Sequence, residues 1–313
     1  MESSQTINTY LNDSLLAKFF TFLRRPSYYS NSPNRSFAGI LFDLSRLYSF
    51  LYLLAITSGL LIYLVSSLGK YDLDQNAVVD LVTNAPILQV VLLAAILAPL
   101  TEELCFRLFL RFSHIKLALS AIFISLFVSE LFDTSSINGL ALLGIYILVG
   151  VLTYVLSKLF ISKSRGENLF KKHIGKLFYL SVTTFALIHS GNYLNINSIL
   201  IVLPILVLPQ FFAGLFFGYI RMNYGFLWSV LMHSAYNFLT LIPFILFSFG
   251  SERLQGVLKG TEYTMEALPK SDLYLLGFLA LGALFVFFIF LLLNIQLIVE
   301  YFIKRNKLTK IGL

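Results

Sequence analysis

The chain has 313 residues, of which 58% are hydrophobic and only 12% are charged. Soluble domains carry about 25% charged residues, so this composition excludes an ordinary soluble domain and predicts a polytopic membrane protein. The net charge of +7 does not predict a nucleic-acid partner, because most of the basic residues fall in segments predicted to lie on one side of a membrane. The single cysteine, Cys105, excludes an internal disulfide framework.

Residues 1–45 are polar and charged ahead of the first long apolar run, and we expect them to form a cytosolic or interfacial arm. Two interpretations of this arm stay open, a short helix that lies on the membrane and an unstructured tail. The residues that would form the apolar side of such a helix are Leu15, Leu16, Phe19, Phe20 and Leu23.

Eight apolar runs follow, and each is close to the length of about 20 residues that a membrane-spanning helix needs. We therefore predict an all-α bundle of eight transmembrane helices over residues 46–303, followed by a basic cytosolic tail at 304–313. The predicted spans are 47–69, 86–112, 115–132, 138–160, 175–191, 198–220, 226–249 and 272–302.

The basic residues support an even number of spans. With a cytoplasmic N-terminus, most of the 23 Lys and Arg residues fall on the cytoplasmic side, as the positive-inside rule requires. The exceptions are Lys70, Arg253, Lys259 and Lys270. We therefore expect a multi-pass integral membrane protein with both termini in the cytoplasm.

Two adjacent glutamates and an arginine interrupt the second apolar run. Ionisable groups inside a membrane span are costly and are usually retained for a function. Glu103 and Arg107 are four residues apart, so they share one helix face and can pair. Glu102 points about 100° away from Glu103 and has no partner within its own helix, so other helices must supply one.

Two histidines lie inside apolar spans, unlike His114 and His173, which lie among basic residues. His189 ends the fifth predicted span, and His233 shares a helix face with Asn237 in the seventh. Singly, each would most simply be a hydrogen-bonding group in helix packing. Together with the glutamates and the arginine, they predict a polar site built from three spans.

These residue types are suited to two kinds of chemistry. A carboxylate and an imidazole can hold a water molecule and take its proton, while a second histidine and an amide stabilise an oxyanion. Alternatively, Glu102, His189 and His233 could bind one divalent metal, zinc by ligand type, with an open position for water. The sequence lacks a His-Glu-x-x-His motif and a Gly-x-Ser-x-Gly elbow, and Cys105 is a weak candidate nucleophile.

The spaced motifs resemble those of the CPBP family, which comprises type II CAAX prenyl endopeptidases and bacteriocin-processing or self-immunity proteins. The motifs are Glu102-Glu103-x-x-x-Arg107, Phe185-x-x-x-His189 and His233-x-x-x-Asn237, and the resemblance covers roughly residues 85–240. It implies a bundle of about eight membrane helices around a water-accessible polar cavity.

The resemblance also implies roles for the six residues. Glu102 would activate the water with help from His189, and Glu103 and Arg107 would brace the site. His233 and Asn237 would form the oxyanion hole. On the predicted topology, His189 lies near the non-cytoplasmic end of its span, and Glu102 lies nearer the cytoplasmic end of its own. For these groups to meet, the span that carries His189 has to be tilted or recessed.

Three functions remain open at this point. The first is an intramembrane endopeptidase, with or without an assisting metal, which acts on a peptide, a lipidated protein or a membrane protein. The second is a non-catalytic scaffold or self-immunity protein, and the third is a proton-coupled carrier, since buried Glu and His residues also form proton relays. The partners are the lipid bilayer and a peptide or membrane-protein substrate, and we expect a bacterial plasma membrane rather than the endoplasmic reticulum.

Overall fold

The computed structural model describes residues 14–28, 36–69, 81, 84–129, 137–192, 201–252, 254, 256 and 268–310. All regular structure in these ranges is helical, which confirms the predicted all-α class. The main helices are α1 Leu15–Arg24, α2 Phe37–Gly69, α3 Ile87–Leu110, α4 His114–Ser129, α5 Gly139–Phe160, α6 Lys163–Ile188, α7 Leu208–Asn223, α8 Phe226–Phe247 and α9 Lys270–Lys310.

Five of these helices are long and apolar enough to cross a membrane, namely α2, α3, α5, α8 and the Lys270–Lys304 part of α9. Helix α4 and helix α7 each have only 16 residues. Helix α6 has 26 residues, but its first half is rich in charge. The protein is therefore an integral membrane protein, whereas the count of eight spans and the orientation of the termini stay predictions.

The N-terminal arm contains the expected helix, but α1 packs into the bundle. Ser14 caps the helix, since its side chain accepts a hydrogen bond from the N–H of Ala17 at 3.2 Å. Phe19 stacks on Phe216 of α7 at a ring distance of 4.4 Å, and Phe22 meets Phe178 of α6 edge-on. Aromatic contacts thus bury one side of α1 against the protein, and the unstructured-tail interpretation is wrong for Leu15–Arg24. A position of this helix on the membrane surface stays a prediction.

Helix α2 begins at Phe37, so the predicted boundary between 45 and 46 falls inside a helix. The charged residues near that boundary do not end the helix, because they find partners within the bundle. The buried Arg46 forms an ion pair with Glu300 of α9, and Glu300 also accepts a hydrogen bond from Lys304 at 2.7 Å. Paired charges of this kind allow α2 to extend beyond its apolar run.

Two glycines let α7 approach α6 closely. A methyl group added at Gly218 would lie 2.6 Å from Cε2 of Phe178, and one added at Gly214 would lie 3.1 Å from Cγ1 of Val182. Small residues four apart allow such contacts between helices in lipid. This packing brings the far end of α6, which carries His189, towards α3 and α8.

A cavity of about 740 Å³ lies between α2, α8 and α9. Its walls are almost entirely apolar, with Tyr52 and Asn294 as the polar residues that line it. None of the six predicted site residues lines this cavity. The water-accessible polar cavity that the resemblance implied therefore stays a prediction.

Candidate active site

Glu103 and Arg107 form a buried ion pair within α3. Nη1 of Arg107 donates to Oε1 of Glu103 at 2.9 Å, and both side chains are 0% exposed. The pair follows from the four-residue spacing, as the sequence predicted. The guanidinium also lies over the ring of Phe185, with Cζ 3.9 Å from the ring centroid, so an aromatic face provides further stabilisation.

Helix α8 binds the same carboxylate from the opposite side. Nδ1 of His233 lies 2.9 Å from Oε1 of Glu103. Oγ of Ser229 lies 2.6 Å from Oε2 of Glu103 and 2.8 Å from the carbonyl oxygen of Phe217, so its one hydrogen can serve either acceptor. Since Arg107, His233 and Ser229 all engage it, Glu103 has no free oxygen for chemistry.

Glu102 is placed differently, although it is the next residue. Its Oε2 is buried and has no hydrogen-bond partner among the described residues. Nε2 of His233 lies 3.4 Å from this oxygen, and Nε2 of His189 lies 3.9 Å from Oε1. Two histidines from other helices thus approach the Glu102 carboxylate, but neither forms a hydrogen bond with Oε2.

Both histidines direct the same ring atom at Glu102. His189 places Nδ1 2.8 Å from the carbonyl oxygen of Phe185, which can only accept, so Nδ1 carries the hydrogen. His233 places Nδ1 against the Glu103 carboxylate, which is also an acceptor. In a neutral imidazole the other nitrogen bears a lone pair, so Nε2 of a neutral His189 faces Glu102 as an acceptor. Both ring nitrogens of His233 lie near carboxylates, so its Nε2 is a donor when the ring is doubly protonated.

Two acceptors thus lie beside each other, the Glu102 carboxylate and Nε2 of a neutral His189, at 3.9 Å from Oε1. Acceptors that face one another repel unless a hydrogen lies between them. A water molecule has two hydrogens to donate and its own lone pairs for attack on a carbonyl carbon. The arrangement is therefore suited to holding and deprotonating a nucleophilic water.

Asn237 fastens α8 to an irregular part of α3. Residues Val91–Leu97 are π-helical, so the N–H of Ala98 bonds to the carbonyl of Leu93 instead of that of Ala94. The next donor in this pattern would be Pro99, which has no N–H. The carbonyl of Ala94 instead accepts from Nδ2 of Asn237 at 2.8 Å, which leaves the second amide hydrogen for another acceptor.

Aromatic rings enclose the two histidines. Phe217 stacks on His233 with a ring distance of 4.3 Å and an interplanar angle of 21°. Phe185 meets His189 edge-on at 4.7 Å. Such contacts fix the ring orientations that set which nitrogen faces Glu102. His189 begins a 3-10 turn, His189–Asn192, that directly follows α6, and its Nε2 comes within 3.9 Å of Glu102. The two residues therefore meet, whereas the tilt or recess of this span in the membrane stays a prediction.

The predicted zinc ligands are Glu102, His189 and His233. Zinc holds nitrogen and oxygen ligands at about 2.0–2.2 Å, which requires all three ligand atoms to converge on one point. Among the described residues, no group of three His, Cys, Asp or Glu side chains is positioned to hold a metal ion. As placed, Glu102, His189 and His233 do not fit a metal, and the zinc site stays a prediction.

Sequence reasoning did not identify Ser229 and Phe217. Ser229 lies four residues before His233 on the same helix face, so the spacing that linked His233 to Asn237 could have indicated it. Phe217 carried no such signal, because aromatic residues are frequent throughout the chain. Cys105 is 1% exposed within the hydrophobic core, which gives no support to its use as a nucleophile.

The fold and the site together define a helical membrane protein with a Glu-Glu-Arg motif on α3 that faces two histidines. Residues 84–239, about half of the chain, match the family model described as type II CAAX prenyl endopeptidase Rce1-like. The chain belongs to this family. The matched segment includes all six predicted site residues. Among curated proteins and among solved structures, no significant match was found.

Proposed function

We propose that this protein is an intramembrane endopeptidase that hydrolyses a peptide bond of a membrane-associated or lipidated protein or peptide. The family supports the class of reaction. The observation that carries the proposal is the difference between two neighbouring carboxylates. Glu103 has both oxygens engaged, whereas Oε2 of Glu102 accepts no hydrogen bond. Nε2 of His233 lies 3.4 Å from this oxygen, and Nε2 of His189 lies 3.9 Å from Oε1 of the same carboxylate.

In the proposed reaction Glu102 is the general base, and His189 holds the water with it. The water donates one hydrogen to the Glu102 carboxylate and one to Nε2 of His189. Its oxygen attacks the carbonyl carbon of the scissile peptide as the proton passes to Glu102. The hydrogen bond from His189 to the Phe185 carbonyl keeps Nδ1 protonated, so Nε2 stays available as an acceptor.

The tetrahedral oxyanion is stabilised by helix α8. His233 can donate from Nε2 only when both ring nitrogens are protonated, and the adjacent Glu103 carboxylate offsets that positive charge. Asn237 contributes the amide hydrogen that Ala94 does not use. When the intermediate collapses, the carbon–nitrogen bond breaks and Glu102 returns its proton to the leaving amine.

Purified full-length protein in liposomes would be assayed on quenched fluorescent peptides, one farnesylated at a C-terminal CAAX sequence and one unmodified. We expect Glu102→Gln to lower the turnover by about 10²–10⁴-fold, which is the usual contribution of a general base. Glu252→Gln is the matched control, because Glu252 is exposed and lies outside the site.

Full activity of Glu102→Gln would overturn the assigned role. A folded wild-type protein that cleaves neither peptide would favour the scaffold function. The same preparations, treated with a chelator and measured for bound metal, separate the two water-activation hypotheses. Activity that needs zinc, with bound zinc lost in both His189→Ala and His233→Ala, would replace the metal-free reaction by the zinc one.

We also propose that both termini lie on the cytoplasmic side. The distribution of the 23 basic residues supports this orientation. A tag at each terminus should resist protease in sealed right-side-out vesicles and become sensitive when the vesicles are opened. Protection of one tag alone would require an odd number of spans.

A further inference from the structure

Three basic side chains converge outside the candidate active site, where α3, α4 and α7 meet. Arg111 directly follows α3, Lys116 lies in the first turn of α4, and Arg221 lies in the last turn of α7. The charges of Arg111 and Arg221 both act on Lys116, and that of Arg111 acts on Arg221. We call these three residues the basic cluster.

Backbone carbonyls hold the two arginines of the basic cluster. Arg221 donates from Nε to the carbonyl of Arg107 at 2.9 Å and from Nη2 to that of Leu108 at 3.2 Å. Arg111 donates in return to the carbonyl of Met222 at 2.6 Å. Carbonyls fix the positions of the guanidinium groups but carry no net charge, so they do not neutralise the positive charges. The Glu103 carboxylate acts on Arg221 from a distance, but it is already ion-paired with Arg107.

In the part of the chain that the structure describes, no carboxylate lies within 4.0 Å of any of the three basic groups. Nε of Arg111 is buried there without a hydrogen-bond partner, and Arg221 is only 4% exposed. Like charges held together away from bulk water are unfavourable unless a counter-charge accompanies them. Binding of an anion at the basic cluster would therefore be favourable.

The basic cluster lies where the apolar part of α3 ends. The candidate span of α3 ends at Leu110, and Arg111 is the next residue. Helix α4 begins beside it, with Ser113 accepting a hydrogen bond from the N–H of Lys116 at 3.1 Å. The positive end of the α4 dipole adds to the field of the three cations. This level of a membrane protein faces lipid headgroups rather than lipid tails.

We propose that Arg111, Lys116 and Arg221 form a binding site for the phosphate group of an anionic membrane phospholipid. The arginine fork matches the oxygen geometry of a phosphate, and Lys116 adds a third charge. Headgroup phosphates are the abundant anions at this depth. Because Arg221 holds the carbonyl of Arg107, a bound lipid would also steady the end of the segment that carries Glu102 and Glu103.

Full-length protein in a neutral detergent would be titrated with phosphatidylglycerol or phosphatidylcholine in mixed micelles, and bound lipid counted by native mass spectrometry. A parallel series would use sodium phosphate against sodium chloride of equal ionic strength, with the thermal midpoint as the readout. We expect phosphatidylglycerol to stay bound to the protein and to raise its thermal midpoint. Lys116→Gln and Arg111→Gln should each weaken phosphatidylglycerol binding about fivefold, since one basic residue contributes roughly that factor.

Two variants serve as controls. Arg111→Lys keeps the charge and should retain most of the binding, whereas Lys163→Gln removes an exposed charge from the start of α6 and should change nothing. Equal binding in wild type and Lys116→Gln would overturn the proposal, as would a loss in Arg111→Lys as large as in Arg111→Gln. A midpoint shift with free phosphate equal to that with the lipid would overturn the assignment to a phospholipid.

Discussion

Helices α3 and α9 are both long and apolar enough to cross a membrane, yet they differ in what they bury. None of the most apolar stretch of α9 is buried in the described structure, and its side chains face outward almost all round. Helix α3 instead carries Glu103 and Arg107, both fully buried, within its span. Hydropathy alone would treat the two helices as equivalent.

The difference lies in where each helix finds partners for its charges. The ion pair of α9 through Glu300 and Arg46 lies near its C-terminal end, in the last part of the span. The charges of α3 lie within a ring of groups from α6, α7 and α8. A helix can therefore hold fully buried charges where several other helices provide hydrogen bonds, whereas Glu300 of the mostly outward-facing α9 stays 25% exposed.

Removing the carboxylate at the centre of this arrangement should have the largest effect. Glu103→Ala leaves Arg107 unpaired and removes the acceptor for His233 and Ser229. We expect a loss of about 3–5 kcal/mol in the free energy of unfolding, together with loss of activity. Glu102→Ala should abolish activity but leave the stability nearly unchanged, because Oε2 has no partner to lose.

Thermal melts of both variants in the same detergent, compared with wild type, measure this division of roles. Equal destabilisation by the two substitutions would contradict it, since a shared loss would mean that Glu102 is also a structural group.

Ser229→Ala should give the next largest effect. The hydroxyl can donate to the Glu103 carboxylate, and a hydrogen bond to a charged group contributes about 1.5–3 kcal/mol to stability. The variant Ser234→Ala, on the same helix, should stay within about 0.5 kcal/mol of wild type. Denaturation in mixed micelles would compare them, and indistinguishable curves would mean that Ser229 donates to the Phe217 carbonyl instead.

The smallest expected change in stability comes from a pair of glycine substitutions, one on an interior helix and one on an outward-facing helix. Gly218→Ala should cost about 1–3 kcal/mol, because the new methyl group meets Phe178, which is itself fully buried. Gly277→Ala on α9 has nothing within 4 Å and should be neutral or stabilising by up to about 1 kcal/mol. A destabilisation by Gly277→Ala comparable to that by Gly218→Ala would show that the segment of α9 around Gly277 has a packing partner.

The sequence by itself determined the contacts that one helix makes with itself. Composition and run length predicted a helical membrane protein, and the four-residue spacing predicted the pair Glu103–Arg107. The same geometry predicted that Glu102 lacks a partner on its own helix. These predictions succeed because the pitch of an α-helix is fixed, so spacing alone defines a face.

Only the tertiary structure decided which groups from separate helices meet. The rotation of α8 brings Ser229 and His233 to one carboxylate, and the length of α6 brings His189 to Glu102. The hydrogen bond from Asn237 to the Ala94 carbonyl depends on a π-helical segment followed by Pro99. The sequence pattern does not reveal that this segment is π-helical, so only the folded backbone shows that the Ala94 carbonyl is available. Contacts between helices depend on the packing of many side chains at once, so no single spacing in the sequence specifies them.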